Sequence, residues 1–261
     1  MTRNWKKALL MGAFFVGLLQ GLVAGSAYAG FCPVPPGEPV AVAHVSDGDT
    51  VRLSDGRWIR LIGLNTPELA RDGRAAEPGA EAARAFLHDM VSAVDGRARL
   101  ALGEESRDRY GRWLGHLILG QTLASERMLE QGLGFAVAVA PNTALARCLF
   151  QAENEARVKR EGVWDAGVQR AAKSIEQTGF VLAQGVVTQV DRAGKAFYVE
   201  LDDHLVIRVP VWSVKDEIYH WKGRRLEVRG WVVDRGRNLK PVRKRWLISI
   251  SDSLNLRLLA P

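Results

Sequence analysis

The chain has 261 residues, 47% hydrophobic and 25% charged, a mix that excludes a disordered or collagen-like protein and indicates a folded soluble one. Two cysteines and five scattered histidines (His44, His88, His116, His204, His220) exclude a disulfide-built scaffold and a four-cysteine zinc site, and argue against zinc chemistry. Lys and Arg number 36 against 29 Asp and Glu, unevenly placed: residues 1–29 carry +3, residues 30–179 carry −2, and residues 180–261, with 15 basic and 9 acidic side chains, carry +6. A basic module joined to a near-neutral one fits a polyanionic partner; a solvated basic surface fits equally well.

Met1–Lys7 is basic, Ala8–Val23 is apolar apart from Gln20, and Gly25–Ala29 places Ala27 and Ala29 in A-x-A positions. This pattern reads as a secretory signal peptide cleaved after Ala29, which makes the mature protein periplasmic or secreted with no stable membrane association. The alternative is an uncleaved N-terminal anchor. Export leaves open either a Cys32–Cys148 disulfide or two buried thiols.

After a Pro/Gly-rich lead-in at Phe31–Pro39, a hairpin is expected from Val42–Leu53, a turn at Ser54–Arg57, and Trp58–Leu64, because Asp-Gly between alternating runs signals a tight turn. Pro78–Val94 reads as a helix with Ala83, Phe86, Leu87, Met90 and Val94 on one face. Strands are expected at Arg97–Leu102 and Trp113–Leu119, and helices at Thr122–Gln131 and Thr143–Glu161. The expected class is α+β, mostly β: a five-stranded barrel with three helices. The tail repeats the barrel order with strands at Phe180–Val190, Ala196–Leu201, Leu205–Val211, Arg225–Val233 and Trp246–Ile250, and a short helix near Ser213–Tyr219. Five strands with a helix after the third is OB-fold order. The expected domains are therefore residues 30–169 and a small basic OB-like barrel at 170–261, with a linker between Trp164 and Gln177.

Three segments concentrate polar residues beyond what a plain barrel needs: Ser46–Thr50, Arg60–Glu68, and Asp108–Arg112. A two-residue hairpin loop would pair Val51 with Arg60 and Asp49 with Ile62, making Asp49 and Arg60 diagonal neighbours on one face. A carboxylate suits a hard cation held by oxygens, and a guanidinium suits phosphate. An exposed ion pair would look the same.

Taken in order, Asp47-Gly48-Asp49-Thr50, Arg60 ahead of Thr66-Pro67-Glu68, and Tyr110-Gly111-Arg112 resemble the staphylococcal-nuclease-like (thermonuclease) family. The resemblance runs from about Val42 to Trp164. It implies calcium-dependent hydrolysis of DNA or RNA phosphodiesters to 3′-phosphates. It also implies Asp49 and the Thr66 carbonyl as Ca2+ ligands, Glu68 as the group that orients or deprotonates water, and Arg60 and Arg112 as phosphate-binding charges. Arg109 stands where the family's best-known member has a lysine, so Arg109 and Tyr110 are substrate-binding candidates.

Two departures stand out. Asn65 occupies the position of a calcium-ligating aspartate, so an amide oxygen replaces a carboxylate there, and Asp47 supplies a compensating negative charge nearby. Gly134–Pro141 contains no tyrosine, where that member packs tyrosines against the nucleotide. His116 reads as structural. His44 reads equally as strand packing or as a residue near the site. Trp58, Trp113 and Trp164 read as core packing, and one or two of Trp212, Trp221, Trp231 and Trp246 as exposed. The leading expectation is an exported nuclease whose basic tail holds nucleic acid. The alternative, supported by Asn65, is a catalytically weakened nucleic-acid-binding or interaction module of the cell envelope. A third reading makes the tail an assembly domain.

Overall fold

The computed structural model describes residues 32–71, 73–165, 167–214, 216–236 and 244–260. The signal-peptide segment lies outside the described residues. In the first half the strands are β1 (Glu38–Asp47), β2 (Thr50–Leu53), β3 (Trp58–Leu61) and β4 (Leu64–Asn65), followed by helix α1 (Ala80–Ser92). Then come β5 (Arg97–Arg107), β6 (Trp113–Leu119), β7 (Thr122–Leu123), α2 (Ala124–Glu130), β8 (Phe135–Ala136) and α3 (Ala146–Lys159). The sheet runs β3-β2-β1-β5-β6-β7, and a parallel β3–β6 pairing closes it into a five-stranded barrel. Val51, Leu53, Ile59, Leu61, Leu100 and Leu117 fill it, alternating with outward side chains as period-two strands require.

Helix α1 buries Ala80, Ala83, Leu87 and Val91, a stripe at three- and four-residue spacing that lies against this core. Phe86, Met90 and Val94 flank the stripe half-buried, as the helical pattern implies. The long first run does bend into two strands, at Gly48-Asp49. A Cβ on Gly48 would lie 2.7 Å from the Ala83 Cβ and 2.8 Å from Thr66 Cγ2, so only glycine lets this turn pass so close to α1. A Cys32–Cys148 disulfide, with Cα atoms 5.2 Å apart, ties the arm before β1 to α3 and decides the cysteine alternative.

The second half contains β9 (Gln169–Ala171), β10 (Gly179–Ala193), β11 (Ala196–Leu201), β12 (Leu205–Pro210), β13 (Arg225–Asp234), β14 (Trp246–Ser249) and β15 (Leu256–Leu258). Five of them close as β10-β11-β12-β14-β13-β10 around Phe197, Val199, Leu205, Ile207, Leu226 and Ile248. Both rings share one order, first-second-third-fifth-fourth-first, with the third and fifth strands parallel. The helix expected after the third tail strand is a 3-10 segment at Asp216–Trp221. The stretch read as a linker is structured: β9 pairs with β10, and Ala172 and Ile175 enter the second core.

The two halves meet over Phe135, Val163, Trp164 and Leu182, and over a buried ionic cluster. Arg229 Nη1 donates to both Glu153 oxygens at 2.7 and 2.6 Å and to the Ala136 carbonyl at 2.8 Å, while the Ala136 N–H donates to Glu153 Oε1 at 3.1 Å. Arg157 forks onto Glu227, with both contacts at 2.6 Å. Asn255 holds Ala138 by both its N–H and its carbonyl, at 3.1 and 2.7 Å.

Candidate active site

The polar segments converge at the end of the barrel where β1 turns into β2. Asp49 is 6% exposed and fully engaged. Its Oδ2 accepts from Arg60 Nη2 and from the Thr66 N–H, both at 2.9 Å, and its Oδ1 accepts from the Thr50 hydroxyl at 3.1 Å. Arg60 projects from β3, donates to the Leu61 and Leu64 carbonyls at 3.1 and 2.7 Å, and reaches Asn65 Oδ1 at 3.1 Å. One guanidinium therefore bridges Asp49 and Asn65, which is what brings the first two sequence segments together.

The expected hairpin register is corrected by one residue. Thr50 faces Arg60 and Val51 faces Ile59, because the loop closes from Leu53 to Arg57, with the Leu53 N–H donating to the Arg57 carbonyl at 2.9 Å. Asp49 still meets Arg60 because it sits in the turn before β2, outside the period-two alternation of the strand.

Asn65 and Thr66 are buried at the end of β4, which pairs with β8 through Leu64–Ala136 and Asn65–Phe135. Gly134 permits that approach, since a Cβ there would lie 2.8 Å from the Asn65 carbonyl oxygen. Glu68 follows on an exposed loop, its backbone clipped by Glu77: the Glu68 N–H donates to Glu77 Oε2 at 3.0 Å, and the Glu77 N–H to the Glu68 carbonyl at 2.8 Å. Glu77 carried no signal of this role in the sequence, because its contact depends on the loop's path.

Arg112 is held from the third segment. Asp108 accepts from the Tyr110 and Arg112 N–H groups at 2.9 and 3.0 Å and from Arg112 Nε at 2.8 Å. Both Arg112 Nη atoms have no hydrogen-bond partner among the described residues and remain available to a phosphate. Tyr110, 69% exposed, has the Arg109 and Arg112 guanidinium carbons 4.8 and 5.7 Å from its ring centroid, and its hydroxyl accepts from Arg109 at 2.7 Å.

The charges read one another across the site. Lost hydration and repulsion from Asp49 raise the Glu68 pKa, opposed by Arg60 and Arg112, so all four charges act on a common space. Burial and the neighbouring Asp49 push Asp47 up to about 6, and its Oδ1 accepts from the Asp49 N–H at 3.0 Å. Burial would raise Asp108, but its bonds to Arg112 outweigh that and lower it. His116 is buried, as a structural histidine should be, and His44 is exposed on β1. Trp164 packs in the seam between the halves and Trp113 against the barrel core, while Trp212 and Trp231 are exposed. Trp58 is 41% exposed, correcting its reading as core packing: Ile59 takes the inward position on that strand.

Among the described residues no group of three His, Cys, Asp or Glu side chains gathers as a metal cluster. The oxygens that do converge are those of the Asp49 carboxylate and the Asn65 amide, with the Thr66 N–H bonded to Asp49 beside them. Asp49 Oδ2 and Asn65 Oδ1 already point at one positive nitrogen. Such a set fits a hard cation with some donation left to water.

A model of the family described as Staphylococcal nuclease homologue matches residues 58–166. The Thermonuclease of Staphylococcus intermedius is 33% identical over 132 residues, covering 49% of this chain and 77% of that protein. The Thermonuclease of Staphylococcus hyicus is 29% identical over 126 residues, covering 47% and 73%. The SPbeta prophage-derived endonuclease YokF of Bacillus subtilis is 26% identical over 130 residues, covering 48% and 43%.

Proposed function

Since the chain belongs to the staphylococcal nuclease family and is a nuclease, we propose that it is an exported, calcium-dependent phosphodiesterase cutting DNA or RNA to 3′-phosphates. The observation that carries this reading is the convergence of Asp49, Arg60, Glu68 and Arg112, with the Arg112 Nη atoms open and Glu68 accessible. Asp49, Asn65 and the Thr66 carbonyl would hold calcium, which when bound polarises the phosphoryl oxygens. Arg112 grips the phosphate with its free Nη atoms, and Arg60, whose Nη2 would be released once Asp49 and Asn65 turn to calcium, joins it in offsetting the charge that builds on the phosphate oxygens. Glu68 takes a proton from the attacking water, a P–O bond forms, and the P–O5′ bond breaks with its oxygen taking a proton from solvent, leaving a 3′-phosphate and a 5′-hydroxyl. Asn65 contributes no net charge, so calcium is held more weakly than by an aspartate, with Asp47 adding negative charge behind Asp49.

The Cys32–Cys148 disulfide supports export, because such bonds persist in oxidising compartments. Residues 1–29 would be the leader, 30–169 the catalytic domain, and 170–261 a basic OB-like domain that retains nucleic acid by phosphate contacts.

End-group analysis tests the chemistry. A 5′-labelled oligonucleotide cut in calcium should give fragments that a polymerase extends only after phosphatase treatment. Fragments that extend directly would overturn it. Asn65→Asp should lower the calcium concentration for half-maximal activity, and an unchanged or higher requirement would remove Asn65 from the ligand set.

A further inference from the structure

The Gly134–Pro141 segment presents no exposed aromatic ring to a base: Phe135, Ala136, Val137 and Ala138 are buried, and Asn255 occupies the Ala138 backbone. Tyr110 already has guanidinium groups packed on it. Trp58 differs: it is 41% exposed, and no ring or guanidinium packs on it among the described residues. It stands two positions before Arg60 on β3, with the intervening Ile59 buried, so both side chains leave the same face.

Two neighbouring positions are cationic. Arg52 is the direct cross-strand partner of Trp58, is exposed, and makes no ion pair or side-chain hydrogen bond among the described residues. Arg57, next to Trp58 in the chain, is by contrast paired with Glu38 and Asp55. On the other side Ile59 pairs with Trp113, so Arg112 lies immediately before the residue adjoining Trp58's strand.

We propose that Trp58 is a stacking platform for the nucleobase next to the scissile phosphate, with Arg52 holding the following phosphate of a single strand. An aromatic face flanked by cations with guanidinium donors to spare is the arrangement that binds single strands without reading sequence. The site is continuous with Arg60 and Arg112, so it rests on the nuclease reading and positions substrate for that chemistry.

The test uses the full chain and labelled oligothymidylate. Affinity is measured in chelator by anisotropy, and kcat and KM in calcium on the oligonucleotide and on a single-nucleoside nitrophenyl phosphodiester. Trp58→Ala should weaken oligonucleotide binding and raise KM by about five- to a hundredfold, with kcat moving far less. The loss should exceed that on the small ester by at least about fivefold, and Trp58→Phe should recover most of it. Arg52→Gln should reduce the slope of log affinity against log salt by about 0.7. Unchanged affinity and KM in Trp58→Ala, while the wild type still cuts, would overturn this inference alone. Equal losses on both substrates, or no recovery with phenylalanine, would do the same. A wild type that neither binds nor cuts would overturn the nuclease reading with it.

Discussion

Two carboxylate–guanidinium pairs in this molecule use the same chemistry to opposite ends. Glu153 and Arg229 meet at 2.6 Å with side chains 3% and 6% exposed, and the Ala136 carbonyl and N–H complete the cluster. Asp49 and Arg60 meet at 2.9 Å with side chains 8% and 13% exposed, but beside them Glu68 is accessible and the Arg112 Nη atoms are unpaired. The first pair is sealed and joins the two barrels. The second is one wall of an open site. A closed ion pair stabilises an arrangement, whereas a pair flanked by the Arg112 donors and an accessible carboxylate can act on a ligand.

The sealed pair should show the largest response in stability. Arg229→Leu leaves Glu153 buried without its partner and should destabilise the protein by about 3–5 kcal/mol, measured by denaturant unfolding. Burial raises the Glu153 pKa even with Arg229 in place, so the carboxylate has little capacity to stand alone. Pairing it with Glu153→Leu should restore much of the loss, and strict additivity of the two changes would contradict the coupling. For the same reason, deleting residues 180–261 would expose this cluster and unbalance the catalytic half, so charge substitutions on the intact chain probe the tail more cleanly.

The open pair should respond in rate. Arg60→Gln is expected to lower turnover by two to three orders of magnitude, on the order of 3–4 kcal/mol, with a smaller change in unfolding free energy than Arg229→Leu produces. The reverse ranking in stability would erase the distinction between the pairs.

His116 sharpens the comparison, being buried with no ion-pair partner among the described residues. Burial pushes its pKa down to about 4, and Nδ1 has no hydrogen-bond partner. Between the unfolded value near 6.5 and about 4, the unfolded chain takes a proton that the fold refuses. Stability therefore falls on acidification through that window, by about 3 kcal/mol from this residue. The difference in stability between wild type and His116→Gln should narrow or reverse as pH drops from 7 to 4, and a difference that stays flat would contradict the assignment. At the small end, Arg97 and Asp95 pair at 2.9 Å with both side chains about four-fifths exposed, and Arg97→Ala should change stability by less than about 0.5 kcal/mol.

Much of this was legible in the residues. The segments holding Asp49, Arg60, Thr66-Pro67-Glu68 and Arg112 were singled out in the sequence and do come together in the fold, and alternating runs with Asp-Gly and Gly punctuation located both barrels. The register error came from counting Asp55-Gly56 as the whole loop when the chain closes from Leu53 to Arg57. The convergence of Asp49 and Arg60 survived that error because a turn residue does not obey strand alternation. Trp58 was misplaced by residue type: an aromatic on a barrel strand suggested the core, but Ile59 holds the inward position. Glu153 and Arg229 lie 76 residues apart, on α3 and on a strand of the second barrel, and no local pattern ties them. Glu77 was invisible for a similar reason, its role depending on how one exposed loop folds back.

The central claim is that Asp49, Arg60, Glu68 and Arg112 form a calcium-dependent hydrolytic site. The most direct measurement is release of acid-soluble nucleotide from single-stranded DNA across a calcium titration, for the wild type and Glu68→Gln, with a chelator control. The account predicts release that requires calcium, at millimolar rather than micromolar order given Asn65, and that falls at least about a hundredfold in the variant. Equal release by the folded variant, undiminished release in chelator, or no release by the folded wild type at any calcium concentration would contradict it.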